Sequence, residues 1–343
     1  MDHRVYRSVA MGCLLVFAGL LLSSRGAWGA PPAEEFYRGK TINWIVASGA
    51  GSPTDVITRT IAQYLAKDLG ARIKVEDMKT DEGINYVYKQ GSRDGLTLGV
   101  KSTDTIIGND ILKAPGVQYE TDKFNFVADV YPSGKVLQIS PKLPYTTLEG
   151  LRKAKGLRGG GTSAKGSLAV SGAVLLEILG LDGKVITGFN GKKDLTLAIA
   201  RGEIDFMVTS DSTALRDEKD NYVVNVMIVG DKRSVVVPKV PLLSELGVNV
   251  PKEMNPVYRF VTSGGMAVVL PPGVPGERIE YLRKAFQNLS NNRELQKAME
   301  KITGTKTSFT PGAELQQEMV EIKADKELAT KLAVIFKKYT ALR

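Results

Sequence analysis

One unit keeps returning along this chain: an apolar run, a loop of Gly, Ser and Thr, and a capped amphipathic helix. Its first instance is "INWIVASGAGSPTD". Ile42 to Ala47 reads as a strand ending at glycine. Ser52, Pro53 and Asp55 then form an S-x-x-D helix start, with proline at the first helical position, where no N–H is needed. Ile57, Ile61, Leu65 and Leu69 make an apolar stripe, and Gly70 stops the helix. The grammar repeats at Leu96-Leu98-Val100 before Ser102–Thr105, and at Thr146–Glu149, a capping box that leads a short basic helix. It repeats again in "LRGGGTSAKGSLAVSGAVLLEILG" and in "VITGFNGKKDLTLAIARGEIDFMV". Strands alternating with helices imply parallel sheets covered on both faces, an α/β class. In such sheets ligands gather beyond the carboxyl ends of the strands, where these Gly, Ser and Thr residues collect. Loop N–H groups and a positive helix end together favour an anion there.

The first thirty residues differ from the rest. Arg4 and Arg7 precede an uncharged, mostly apolar stretch from Val9 to Leu22, and Ala27-Trp28-Gly29 supplies small residues for cleavage. This is the pattern of a secretory signal peptide, cleaved after Gly29, and the stretch is shorter than the roughly 20 residues of a membrane span. Cys13 and His3, the only cysteine and histidine, leave with it. The mature chain therefore has no disulfide, no thiolate metal site and no histidine base or triad. We expect no metal and no cofactor. Lys and Arg outnumber Asp and Glu by 46 to 37, but they are scattered without a basic block, which argues against nucleic acid as a partner.

Sharper motifs fall short. In "GGTSAKGS" the lysine precedes the glycine, the reverse of a phosphate-binding P-loop, and Thr54 breaks a dinucleotide-type G-x-G-x-x-G. Ser163 with Lys165, or Ser133 with Lys135, lack the S-x-x-K spacing of a serine–lysine nucleophile. Asp205 has no second acid to pair with, and Trp44 is expected in the core. The sequence offers no catalytic residue.

The length suggests two lobes. Crossings are expected at "VYPSGKVLQISPKLP" and "VYRFVTSGGMAVVLPPG", giving residues 30–135 with 260–343 as one lobe and 136–259 as the other. The helical, amphipathic final third is expected to pack back on the first lobe.

Taken in order, "INWIVASGAGSPTD", "RDGLTLGVKSTDTIIGNDIL", "GFNGKKDLTLAIARGEIDFM" and "VGDKRSVVVPKVPLLSELGV" resemble segments of the solute-binding receptors of tripartite tricarboxylate transporters, the Bordetella uptake gene receptors. The similarity runs from about Tyr37 to Lys338. It implies a two-lobed, type II periplasmic-binding-protein fold that clamps a small organic acid in its cleft and passes it to membrane subunits. By position, first-lobe contacts would come from Ser48, Gly49, Ala50, Gly51 and Ser52, and from Ser102, Thr103, Asp104 and Thr105. Second-lobe contacts would come from Ser163, Ala164, Lys165 and Ser167, from Phe189, Asn190 and Gly191, and from Asp211. The rival readings are a periplasmic hydrolase or lyase on this fold and a receptor for a sensor kinase. There are departures from the family pattern. Thr80 to Asn85 replaces a glycine-rich loop, Pro53 a glycine, and Lys101 and Asp104 small neutral residues. Asp104 beside a carboxylate would repel it, so an amine-bearing or less acidic ligand than citrate is expected.

Overall fold

The computed structural model describes residues 32–162, 166–304 and 308–342. The expected signal peptide lies outside them. The chain begins with α1 (Ala33–Tyr37), β1 (Thr41–Val46), α2 (Pro53–Leu69), β2 (Arg72–Asp77), α3 (Thr80–Gln90), β3 (Thr97–Ser102), α4 (Thr103–Ile111) and β4 (Asn125–Asp129). After a first crossing come β5 (Lys135–Ile139), α5 (Leu148–Lys153), β6 (Leu157–Gly161), α6 (Ser167–Leu179), β7 (Gly183–Thr187), α7 (Lys192–Arg201), β8 (Phe206–Ser210), α8 (Asp211–Lys219) and β9 (Val224–Val229). Then α9 (Asn255–Thr262) leads back to β10 (Met266–Leu270), α10 (Gly276–Ser290), α11 (Arg293–Thr303), β11 (Thr310–Pro311) and α12 (Gly312–Ala324). The described chain ends with α13 (Leu328–Tyr339) and β12 (Thr340–Leu342).

Two six-stranded sheets result, ordered β2-β1-β3-β10-β4-β11 and β12-β7-β6-β8-β5-β9. Without the short strands β11 and β12, the two orders correspond strand for strand. In each, the strand that arrives from the other lobe (β10 or β5) runs antiparallel to both neighbours, while the others in that set run parallel. Strands covered on both faces lose the polar–apolar alternation. All five residues of β5 and of β10 are buried, and so are five of the six in β3.

Local chemistry sets the element ends. Ser52 caps α2 by accepting the Asp55 N–H at 3.2 Å, and Gly70 closes the helix in the left-handed region at φ 58°. Ile57, Ile61, Leu65 and Leu69 are the buried stripe. Thr147 caps α5 through the Gly150 N–H. Trp44 is fully buried, edge-on to Phe286. Asp205 is held by Arg158 through its backbone N–H and its guanidinium, a structural ion pair.

Two features differ from the sequence reading. Gly159, Gly160 and Gly161 belong to strand β6 and not to a loop; a Cβ on them would strike Phe206, Ile204 and Ala169 respectively. They are glycines because α6 and neighbouring side chains lie directly on that strand. The final segment, assigned by sequence to the first lobe, divides. Helix α12 packs on β4, but α13 packs on α6, and β12 extends the second sheet parallel to β7. Amphipathic helices do not say which sheet they cover, and three residues of strand carry no readable period. Among the described residues no helix is long and apolar enough to cross a membrane.

Gly161→Ala tests the β6 packing. Its Cβ would meet both the side chain and the backbone of Ala169, which cannot move alone. Urea unfolding should show a loss of about 1–3 kcal/mol.

Candidate functional site

The lobes meet where the two crossings run side by side. Val130 N–H donates to Met266 O at 3.0 Å and Ser133 N–H to Gly264 O at 3.2 Å. Asp129 pins the pair from within: its carboxylate accepts the N–H groups of Tyr131 and Met266 and the Thr103 hydroxyl. Burial pushes the Asp129 carboxyl up to about 6 against those hydrogen bonds. The first residue of α4 and that of α8 are tied to the crossings in equivalent ways. Thr103 N–H donates to Gly265 O at 3.1 Å and Asp211 N–H to Gly134 O at 3.0 Å. The strand–helix junctions of the two lobes therefore face one another.

Cavities lie between them: one, of about 640 Å³, sits behind the crossings against Asp129, Asp211 and Ser234, and two more follow the helix starts. The larger of these two, also of about 640 Å³, is lined by Gly51, Pro53 and Val56 from α2 and its loop, and by Ser212, Thr213 and Arg216 from α8. The other, of about 310 Å³, lies between α4 (Asp104, Thr105) and α6 (Ser167, Val170). Both volumes fit the range of small-molecule sites.

Asp104 joins the lobes directly. Its Oδ2 lies 3.0 Å from Lys135 Nζ and accepts the Ser167 hydroxyl at 2.5 Å, both from the second lobe. Its Oδ1 accepts the Ser102 and Thr105 hydroxyls. Burial opposes its ionisation, but the Lys135 ammonium and the Ser102 and Ser167 hydroxyls outweigh that and hold the carboxyl below its usual range. Lys135 also reaches Ser167 Oγ at 3.2 Å, a serine–lysine contact that the sequence spacing did not suggest. The contact is unsuited to nucleophilic catalysis. Lys135 donates to the serine oxygen, and the Ser167 hydroxyl donates to Asp104, so the lysine is not placed to take the serine proton.

The first loop is also filled from within. Gly51, at φ 74°, donates its N–H to Asp55 Oδ2 at 2.8 Å, and the Ser48 and Ser52 hydroxyls bond each other at 2.7 Å. Gly49 and Ala50 are exposed on the loop. In the second lobe, Asp211 is consumed by Ser133, the Gly134 N–H, the Ser212 N–H and the Ser234 hydroxyl at 2.6 Å. Asn190 N–H donates to Asp194, Phe189 is buried, and Gly191 precedes α7. Ser163, Ala164 and Lys165 lie outside the described residues. Thr80 to Asn85 opens helix α3, where Asp81 takes Lys101 Nζ and the Asn109 amide.

The cations at the cleft were not singled out by sequence. Lys192, the first residue of α7, is accessible to water yet ringed by protein. Its pKa is pushed down by that partial desolvation and then by the positive charge of Lys135, with Asp104 opposing and Arg216 adding to the fall. It is thus within electrostatic reach of the Asp104–Lys135 pair and of Arg216 on the larger cavity. Arg216 is braced by Asp217, and Lys219 lines the same cavity. One signal was available. A lysine at a helix N-terminus opposes the helix dipole and needs a reason to be there.

This architecture defines a class: a two-lobed fold of the periplasmic-binding-protein type, with a cleft where the crossing strands meet. Known proteins agree. The chain is 23% identical over 308 residues to Protein BugT of Bordetella pertussis, covering 87% of this chain and 90% of that one. It superposes on a TctC solute-binding protein from Polaromonas with a TM-score of 0.72 at 19% identity, over 88% of this chain and 99% of the other. MatC from Rhodopseudomonas palustris, solved with bound malate, gives 0.58 at 22% identity over 87% and 99%. No family model matches the chain. Along most of its length the chain is similar to these Bug and TctC solute-binding proteins.

Removing Asp104 should expose what the interlobe pair contributes. Asp104→Ala leaves the largely buried Lys135 side chain without its ion-pair partner, so chemical denaturation at pH 7 should show a loss of about 3 kcal/mol. The folded-state pKa lies below the unfolded value of about 3.9. The wild-type advantage is therefore complete above that pH and fades as the pH falls below it.

Proposed function

We propose that the chain is an exported, periplasmic receptor that closes on a small organic acid and delivers it to the membrane subunits of a tripartite tricarboxylate-type transporter. The observation that carries this reading is the cleft itself. Helix starts from both lobes converge on cavities of ligand size, with Arg216 and Lys219 on the wall of one and Lys192 within electrostatic reach of Arg216. The carboxylate bound by MatC supports the class of ligand. A hydrolase or lyase on this fold finds no support in the side chains. The Ser167 hydroxyl donates to Asp104 and Lys135 donates to Ser167, the wrong arrangement for a nucleophile and its base, and among the described residues no group of His, Cys, Asp and Glu could hold a metal. The receptor reading therefore involves no turnover, no cofactor and no nucleic acid. The feature that bears on a sensor kinase in place of a permease is partner choice alone, which a pull-down from membranes distinguishes.

Differential scanning fluorimetry over mono-, di- and tricarboxylates tests the proposal. At a hundredfold excess over its Kd, the cognate acid should add about 2.7 kcal/mol of stability, a rise of a few degrees in Tm. Lys192→Glu should weaken that acid at least tenfold while the unliganded protein melts as before. NMR of the acid in the presence of protein should show no conversion. A flat panel would refute the receptor, and steady product would favour the enzyme.

A further inference from the structure

Resting on that receptor reading, the structure points to the class of acid. We propose that the cleft takes monocarboxylates with an apolar body, aliphatic or aromatic, in preference to small polar di- and tricarboxylates.

Two independent observations lead there. The first is that the chain already supplies carboxylates to the donors a multiply charged ligand would need. Asp55 occupies the Gly51 N–H of the first loop at 2.8 Å. Asp104 occupies Lys135 and Ser167 across the lobes. Asp211, the first residue of α8, takes the N–H groups of Gly134 and Ser212 and the Ser234 hydroxyl. A second or third ligand carboxylate would meet these buried anions with its donors already used, and burying an unpaired charge is costly. The wall of the larger cavity offers one carboxylate Lys219 and Arg216, the latter already bonded to Asp217 through Nε and Nη2, with Asp220 beside them.

The second observation is the wall of that cavity. Val56 and Ile302 are each 41% exposed, and both line it, with Ile57, Leu215 and Tyr131 beside them. Val56 comes from α2, Leu215 from α8 and Ile302 from α11, so apolar surface faces the space from three helices. Isolated exposed apolar residues are ordinary, but ones that converge in a cavity of about 640 Å³ with cations beside them mark an amphiphilic ligand. Covering that surface supplies affinity that charge alone does not, and a hydroxylated or tricarboxylic body would gain nothing from it.

Isothermal titration calorimetry with hexanoate, benzoate, malate and citrate decides the matter. Hexanoate or benzoate should bind the wild-type protein at least tenfold more tightly than malate or citrate. Val56→Asp, at a surface position, should weaken the monocarboxylate at least tenfold. Asp104→Asn should narrow the gap by releasing Lys135 and Ser167, raising malate or citrate affinity at least tenfold. Malate or citrate binding the wild type as tightly as the monocarboxylates would overturn the proposal and leave the receptor reading standing. So would an unchanged affinity in Val56→Asp. If none of the four binds and the wider carboxylate panel is also flat, the receptor reading itself fails.

Discussion

Everything in this molecule hangs on the two chain crossings that lie against each other between the lobes. Their backbone bonds, Val130 to Met266 and Ser133 to Gly264, are few, and the buried Asp129 carboxylate holds them in register. Gly265 is required at that point because a side chain there, at φ 140°, would run into the Asp129 carboxylate. Because Thr103 and Asp211 bond to the same crossings, the starts of α4 and α8 are placed by the hinge and not by their own lobes. The joint between the lobes also aims the helices at the cleft.

Much of the fold was legible because it is written in short-range chemistry. Ser52, Pro53 and Gly70 fix the ends of α2 by capping and backbone conformation. The strand-to-helix alternation gave the α/β class before any coordinates. The order of motifs along the chain gave the resemblance to the Bug receptors, to which the similarity to BugT also points. The division of the final helices between lobes was not legible, since an apolar stripe specifies burial but not the surface that buries it. Nor were the glycines of β6, whose constraint is the Phe206 ring, Ile204 and α6, set elsewhere in the sequence.

The site was legible at the level of loops and not of atoms. Ser48 to Ser52, Ser102 to Thr105 and Asp211 do stand at strand–helix junctions, yet what they bond to is largely one another. Sequence shows a donor-rich loop; it does not show that Asp55 sits four residues on with its carboxylate turned back to fill it. Asp104 illustrates the same limit. Read alone it is a charge that repels an acid, whereas in the fold it is neutralised by Lys135, a residue from the opposite lobe. Lys192 and Arg216 went unnoticed for a related reason, because convergence from separate helices leaves no trace in spacing.

The C-terminal segment links the lobes in another way. Helix α12 packs on the first sheet, α13 packs on α6, and β12 completes the edge of the second sheet, anchored by the 2.7 Å Lys338–Glu177 ion pair. Two adjacent crossings alone would act as a pivot free to bend and to twist. A third attachment at a distance from that pivot resists torsion far more than bending. Any swing about the crossings would therefore be confined to one direction, with the short joint between α12 and α13 as the check strap on its width.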